Sequence, residues 1–220
     1  FLTKNELNTG YKKFSRLTNS IELIDPLLNL PELIEYIVSD EIINICSKHF
    51  KTNSPRLLYV AFRCYFKNNL PPSDVNYYHT DDRKFVTKSR ENLLKLAIPF
   101  HLGKKDNGEY SQLIINKKKL KINKREFSKL QHSEARDFPK KFHKFLFQPN
   151  VKKRSGYVFD PNNFFHKASK PNKTRLICYA VYGKKTSYLS KKTKKIKITK
   201  KIFNNLNENA KKFTCLLTKT

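Results

Sequence analysis

The stretch Leu57-Leu58-Tyr59-Val60-Ala61-Phe62-Arg63-Cys64-Tyr65-Phe66 decides the fold class. Its aromatic and β-branched side chains suit a pleated strand. Upstream the pattern is different. In Pro31-Glu32-Leu33-Ile34-Glu35-Tyr36-Ile37-Val38, residues Leu33, Ile34, Ile37 and Val38 recur at helical spacing, and Pro31 suits a first helical turn. Ser39-Asp40-Glu41 reads as a second helix start, followed by an apolar face of Ile42, Ile43 and Cys46, with His49 and Phe50 near its end. Leu23, Ile24, Leu27 and Leu28 cluster around Pro26, which breaks the run. Residues 1 to about 50 are therefore predicted to be helical.

Downstream, strand signals dominate. Leu93 to Leu102 is rich in aliphatic residues, and Lys104-Lys105-Asp106-Asn107-Gly108 reads as a turn, because Asn-Gly tolerates positive φ. The stretch from Asn116 to about Lys153 is basic and less regular, with room for a helix between 126 and 146. Gly156 to Pro161 reads as a short strand and turn, and Thr174 to Tyr182 as a strand. From Lys184 the chain is Lys-rich, with an apolar interlude at Ile202, Phe203, Leu206, Phe213, Leu216 and Leu217. Helices first and strands after predict an α+β domain with a mainly β core, a sandwich or a barrel.

The 220 residues suit one domain. With 38% hydrophobic and 13% aromatic residues the chain can build a core, unlike a disordered polar sequence. Lys and Arg number 46 against 18 Asp and Glu, a formal charge of +28. Such a charge suits nucleic acid, an anionic membrane surface or an anionic small molecule. It also suits a composition bias, since the lysines are spread along the chain and arginine, the usual bidentate phosphate ligand, is scarce. The cluster Lys191, Lys192, Lys194, Lys195, Lys197, Lys200 and Lys201 reads first as a solvated tail. Cys46, Cys64, Cys178 and Cys215 form no C-x-x-C pair, which argues against a zinc ribbon. No apolar run approaches the roughly 20 residues of a membrane span. These features predict reduced thiols and a cytoplasmic protein.

The chemistry lies in two segments. The first is Tyr77-Tyr78-His79-Thr80-Asp81-Asp82. On a strand, residues i and i+2 share a face, so His79 and Asp81 can offer an imidazole and a carboxylate to one metal ion. Asp82, the rival to Asp81, would face the other way. The second is Phe164-Phe165-His166, with Arg175 nine residues beyond His166 on the next strand. Two imidazoles and one carboxylate make the facial triad of non-haem Fe(II) oxygenases, which leaves positions open for 2-oxoglutarate and O2. Arg175 can bind the far carboxylate of 2-oxoglutarate through its planar fork, with Lys173 as the alternative. Arg175, Ile177, Tyr179 and Val181 share a strand face, and a cation there requires an anionic partner. Asn76 and Tyr77 are further candidates for touching a ligand. His49, His101, His132 and His143 read as structural or solvated.

Together these residues resemble the phytanoyl-CoA dioxygenase family of Fe(II)- and 2-oxoglutarate-dependent oxygenases, from about residue 55 to 183. His79-Thr80-Asp81 is similar to the family's first iron motif. Leu93 to Leu102 resembles the core strand that follows, and Asp106-Asn107-Gly108-Glu109 the turn after it. Gly156-Tyr157-Val158-Phe159-Asp160, then His166-Lys167-Ala168, resembles the delivery of the distal histidine, and Arg175 matches the oxoglutarate arginine. The family's Gly-Ser-His segment is missing; Ser111-Gln112-Leu113-Ile114 stands there. The resemblance implies a double-stranded β-helix (jelly-roll, cupin-like) with N-terminal and flanking helices. It implies one oxygenase domain over 1–220, with a helical part to about 54, the core over about 55–183 and a basic segment over about 184–220. It further implies iron held by His79, Asp81 and His166, 2-oxoglutarate on Arg175, O2 as oxidant, and a small molecule, which the charge suggests is anionic, as substrate. The carboxylate of Asp81 argues for hydroxylation or desaturation rather than halogenation. The alternative is a basic nucleic-acid- or anion-binding module on an inactive oxygenase fold. It accounts for the charge but not for the His-x-Asp and His-to-Arg spacing.

Overall fold

A computed structural model describes residues 11–15, 20–23, 25–65, 78–81, 93–100, 112–114, 121, 123, 140–147, 149, 155–168, 175–184, 196–215 and 217–220. Its centre is the quoted stretch. Strand β3 (Arg56–Tyr65) lies between β2 (Ser20–Leu23) and β9 (Arg175–Gly183), antiparallel to both. With β1 (Tyr11–Ser15), β4 (Leu93–Pro99) and β7 (Tyr157–Phe159) they form a six-stranded sheet in the order β1-β2-β3-β9-β4-β7. A smaller sheet has the order β6-β5-β8, from β5 (Gln112–Ile114), β6 (Leu146–Phe147) and β8 (Phe165–Lys167).

Alternation along the strands of the large sheet divides it into two faces. Val60, Phe62, Leu94, Leu96, Cys178, Ala180 and Tyr182 point to a core shared with helices. These are α1 (Pro26–Asn29), α2 (Leu33–Ile37) and α3 (Asp40–Phe50), which contribute Leu27, Leu33, Ile37 and Cys46. Tyr59, Ala61, Arg63, Lys95, Tyr179 and Val181 point the other way, into a cavity. A register shift between Leu57 and Tyr59 sends Leu57 to the helix side and Tyr59 to the cavity. Gly156 lies where β7 meets β4: a Cβ there would stand 2.8 Å from the Ala97 carbonyl oxygen, so the backbones approach too closely for a side chain.

The helices from Pro26 to Phe50 agree with the sequence pattern. Pro26, read as breaking an apolar run, instead opens α1, and Ser39 caps α3, its hydroxyl accepting from the Ile42 N–H. The helical reading of the first fifty residues is corrected at β1 and β2. There Ser20–Leu23 satisfies its backbone by pairing with Phe62–Tyr65, so tertiary pairing decides a segment with little pattern of its own. Of the cluster read as a solvated tail, Lys197, Lys200 and Lys201 are exposed as expected, but they stand on structured chain. Strand β10 (Lys197–Ile198), helices α5 (Lys200–Asn205) and α6 (Glu208–Phe213), and strand β11 (Thr218–Lys219) pack onto the core through Ile196, Ile198, Ala210, Phe213 and Leu217. Lys197 pairs with Asp25 at 3.1 Å, whereas Lys191, Lys192, Lys194 and Lys195 lie outside the described residues. Of the helix expected within 126–146, α4 (Lys140–His143) is described. The Asn107-Gly108 turn also lies outside the described residues. The four cysteines are free thiols. Among the described residues no helix is long and apolar enough to cross a membrane.

Candidate metal centre

His79 and His166 are directly opposed across two antiparallel segments. Each donates its backbone N–H to the other's carbonyl, at 2.9 and 2.8 Å. Opposed residues send their side chains to one face, and the two imidazole centroids are 4.4 Å apart. Asp81 follows at a bend. Its backbone N–H donates to the Pro161 carbonyl at 2.8 Å, in the turn between β7 and β8. That turn is organised by Asp160. Its Oδ1 accepts from the N–H groups of Asn162 and Asn163, each at 3.0 Å, and its Oδ2 from Asn163 Nδ2 at 2.7 Å. One turn thus aligns the strand bearing His166 and holds the backbone of Asp81.

The result is a cluster of three donors. Asp81 Oδ1 stands 3.6 Å from His79 Nε2 and 3.5 Å from His166 Nε2, and no two of the donor atoms are more than 4.8 Å apart. Atoms about 2.1 Å from a common ion lie about 3.0–3.6 Å apart at ordinary coordination angles, the spacing that Asp81 Oδ1 already has to both imidazole nitrogens. His166 Nδ1 is 3.1 Å from the Phe164 carbonyl, which can only accept. The proton therefore sits on Nδ1, and Nε2 keeps its lone pair for a ligand. Burial alone would raise the Asp81 carboxyl, but the Lys95 ammonium beside it outweighs this and holds the group well below the usual carboxylate range. It is anionic and ready to bind a cation.

The donors open onto a cavity of about 190 Å³, lined by Tyr59, Arg63, Lys95, Phe159 and Tyr179 among others. Both cations on its wall already hold carboxylates: Arg63 Nε donates to Glu22 Oε2 at 2.9 Å, and Lys95 Nζ donates to Asp81 Oδ2 at 2.7 Å. Arg175 is different. It begins β9 on the face that carries Tyr179 and Val181, but it does not line the cavity wall. Its side chain is 2% exposed, its guanidinium carbon lies 4.9 Å above the Tyr65 ring, and its Nε has no hydrogen-bond partner. A buried cation without a carboxylate among the described residues fits an anionic ligand absent from the chain itself.

The structure therefore brings His79, Asp81 and His166 together, while Arg175 lies on the cavity-side face of the large sheet, with Tyr179 and Val181. Asn76, Tyr77, Asp82 and Lys173 lie outside the described residues, as do His101 and His132. His49 sits 3.7 Å from Asp160 beneath the turn, a structural position, and His143 is exposed. Lys95 and Arg63 escaped the sequence reading. The signal for both was a single charge inside an otherwise apolar strand, Leu93-Leu94-Lys95-Leu96-Ala97-Ile98 being the clearer case.

No protein-family profile and no curated protein sequence matches the chain. Solved structures do. HygX from Streptomyces hygroscopicus, with nickel and 2-oxoglutarate bound, is similar at a TM-score of 0.54 and 13% identity, over 82% of this chain and 76% of that one. The same protein with nickel, 2-oxoglutarate and hygromycin B bound gives a TM-score of 0.51 over the same shares. The non-heme alpha ketoglutarate dependent epimerase SnoN from nogalamycin biosynthesis gives 0.48 at 13% identity, over 79% of this chain and 66% of SnoN. The likeness to HygX, at this identity, shows a shared fold.

Proposed function

We propose that this chain is an Fe(II)- and 2-oxoglutarate-dependent oxygenase, similar to the phytanoyl-CoA dioxygenases, on a single double-stranded β-helix domain spanning 1–220. It hydroxylates an unactivated carbon of a small, anionic molecule. The observation that carries the reading is Asp81 Oδ1 facing two imidazole Nε2 atoms at 3.5–3.6 Å in a cavity. Support comes from HygX, which shares the fold and was solved with nickel and 2-oxoglutarate bound.

In this reading His79, Asp81 and His166 hold the iron. Bound there with 2-oxoglutarate and O2, the metal supplies the oxidising chemistry, with succinate and CO2 released. The chain's own residues orient and shield. The Phe164 carbonyl fixes the His166 tautomer. Arg175, whose buried Nε has no hydrogen-bond partner among the described residues, meets the far carboxylate of 2-oxoglutarate. Phe159 and Tyr179 wall the cavity with apolar surface that limits water.

The test is anaerobic addition of Fe(II) and then 2-oxoglutarate, followed by visible difference absorption. A weak charge-transfer band that needs both additions and vanishes in His79→Ala is expected. A folded protein that gives no band overturns the reading. Steeply salt-dependent binding of nucleic acid would then identify it as a basic binding module.

A further inference from the structure

Asp81 is divided between two tasks. Oδ1 faces the two imidazole nitrogens, and Oδ2 accepts from Lys95 Nζ at 2.7 Å. The ammonium is well fixed. Lys95 lies in β4, between β9 and β7, where Val181 and Phe159 are its register partners. Its Nζ stands 5.7 Å from the Phe159 ring centroid and 5.9 Å from that of Tyr179, near enough for attraction by both π-faces. Nothing in the facial-triad chemistry requires a lysine here.

We propose that Lys95 is a positioning residue that holds Asp81 Oδ2 out of the metal's reach, so that the carboxylate gives the ion one oxygen. The inference rests on the metal-centre reading above. Carboxylates bind cations through one oxygen or two, and the choice follows from what else each oxygen meets. An ammonium on Oδ2 makes the second bond to a cation unfavourable, because two positive charges would share one oxygen. One metal position that chelation would fill thereby stays open to water or to 2-oxoglutarate. Lys95 sets how many exchangeable positions the centre offers.

The full chain loaded with Mn(II) tests this through water-proton relaxation, which counts metal-bound water, in the wild type, Lys95→Met and Lys95→Arg. Thermal melts and Mn(II) affinity are recorded beside it. In Lys95→Met, Mn(II) uptake is expected to persist with about one fewer bound water, and 2-oxoglutarate affinity to fall about tenfold. Lys95→Arg, which can still donate to Oδ2, restores both. If Lys95→Met does not fold, Lys95→Gln, a weaker donor, replaces it and lies between the two. Mn(II) uptake with an unchanged water count overturns this inference alone, whether or not 2-oxoglutarate binding falls. Loss of Mn(II) uptake in Lys95→Met without rescue by Lys95→Arg marks a general structural role and also overturns it. Failure of the wild type to take up Mn(II) overturns the oxygenase reading and this inference with it.

Discussion

Arg175 and Asp81 are both charged and buried to different depths, and they meet that cost in opposite ways. Asp81 is compensated by Lys95 at 2.7 Å, whereas Arg175 lies over the face of Tyr65 and has no carboxylate among the described residues. An uncompensated buried guanidinium is retained at the expense of stability. Arg175→Met is therefore expected to melt at or above the wild-type temperature without ligand, while 2-oxoglutarate affinity falls at least about tenfold, as loss of a charged hydrogen bond implies. Melts and calorimetric titration check both halves. Asp81 supplies a pH dependence. Its folded pKa lies well below the ordinary 3.8, so its contribution is fully present above that ordinary value and is lost as pH falls through the depressed one. Metal-free Asp81→Asn, which takes the carboxylate charge away from Lys95, should be less stable than wild type at neutral pH. The gap in urea midpoint should close in strong acid.

The turn from Asp160 to Asn163 links the two halves of the centre. It ends β7, starts the path to β8 and His166, and accepts the Asp81 N–H through Pro161. Asp160→Ala removes both acceptor oxygens from three donors and should cost about 1–3 kcal/mol. Because the turn positions two of the three metal donors, metal affinity should fall as well. Asp160→Asn keeps one acceptor oxygen and should be milder in both respects. Denaturant midpoints and Mn(II) titration distinguish this coupled loss from simple destabilisation, in which metal affinity of the folded protein would be unchanged.

Across the whole molecule, the first and last thirds of the chain close over one core. Tyr182 of β9 stacks on Phe213 of α6 at 5.3 Å, and its hydroxyl donates to the Ile37 carbonyl at the end of α2. Phe213 is 1% exposed. Phe213→Ala should therefore cost about 3–5 kcal/mol, as a large core truncation does. For a chain of this length that lowers Tm by on the order of 10 °C in a thermal melt. A tail merely solvated by its lysines would show no such loss.

What the sequence determined by itself was local and chemical. Serine punctuation placed the start of α3, largely apolar runs placed β3, β4 and β9, and the order His79, Asp81, His166, Arg175 pointed to the candidate centre. Those signals are carried by residue type and short spacing, which the chain writes directly. Tertiary structure decided the rest. Strands β1 and β2 exist because β3 has an edge to pair with, and the lysine-rich end packs because Ile196, Ile198, Ala210, Phe213 and Leu217 find the helix-side core. Lys95 matters because the sheet register sets its ammonium beside Asp81, fourteen residues away. Such partnerships depend on distances between segments that folding brings together, and no local pattern encodes them.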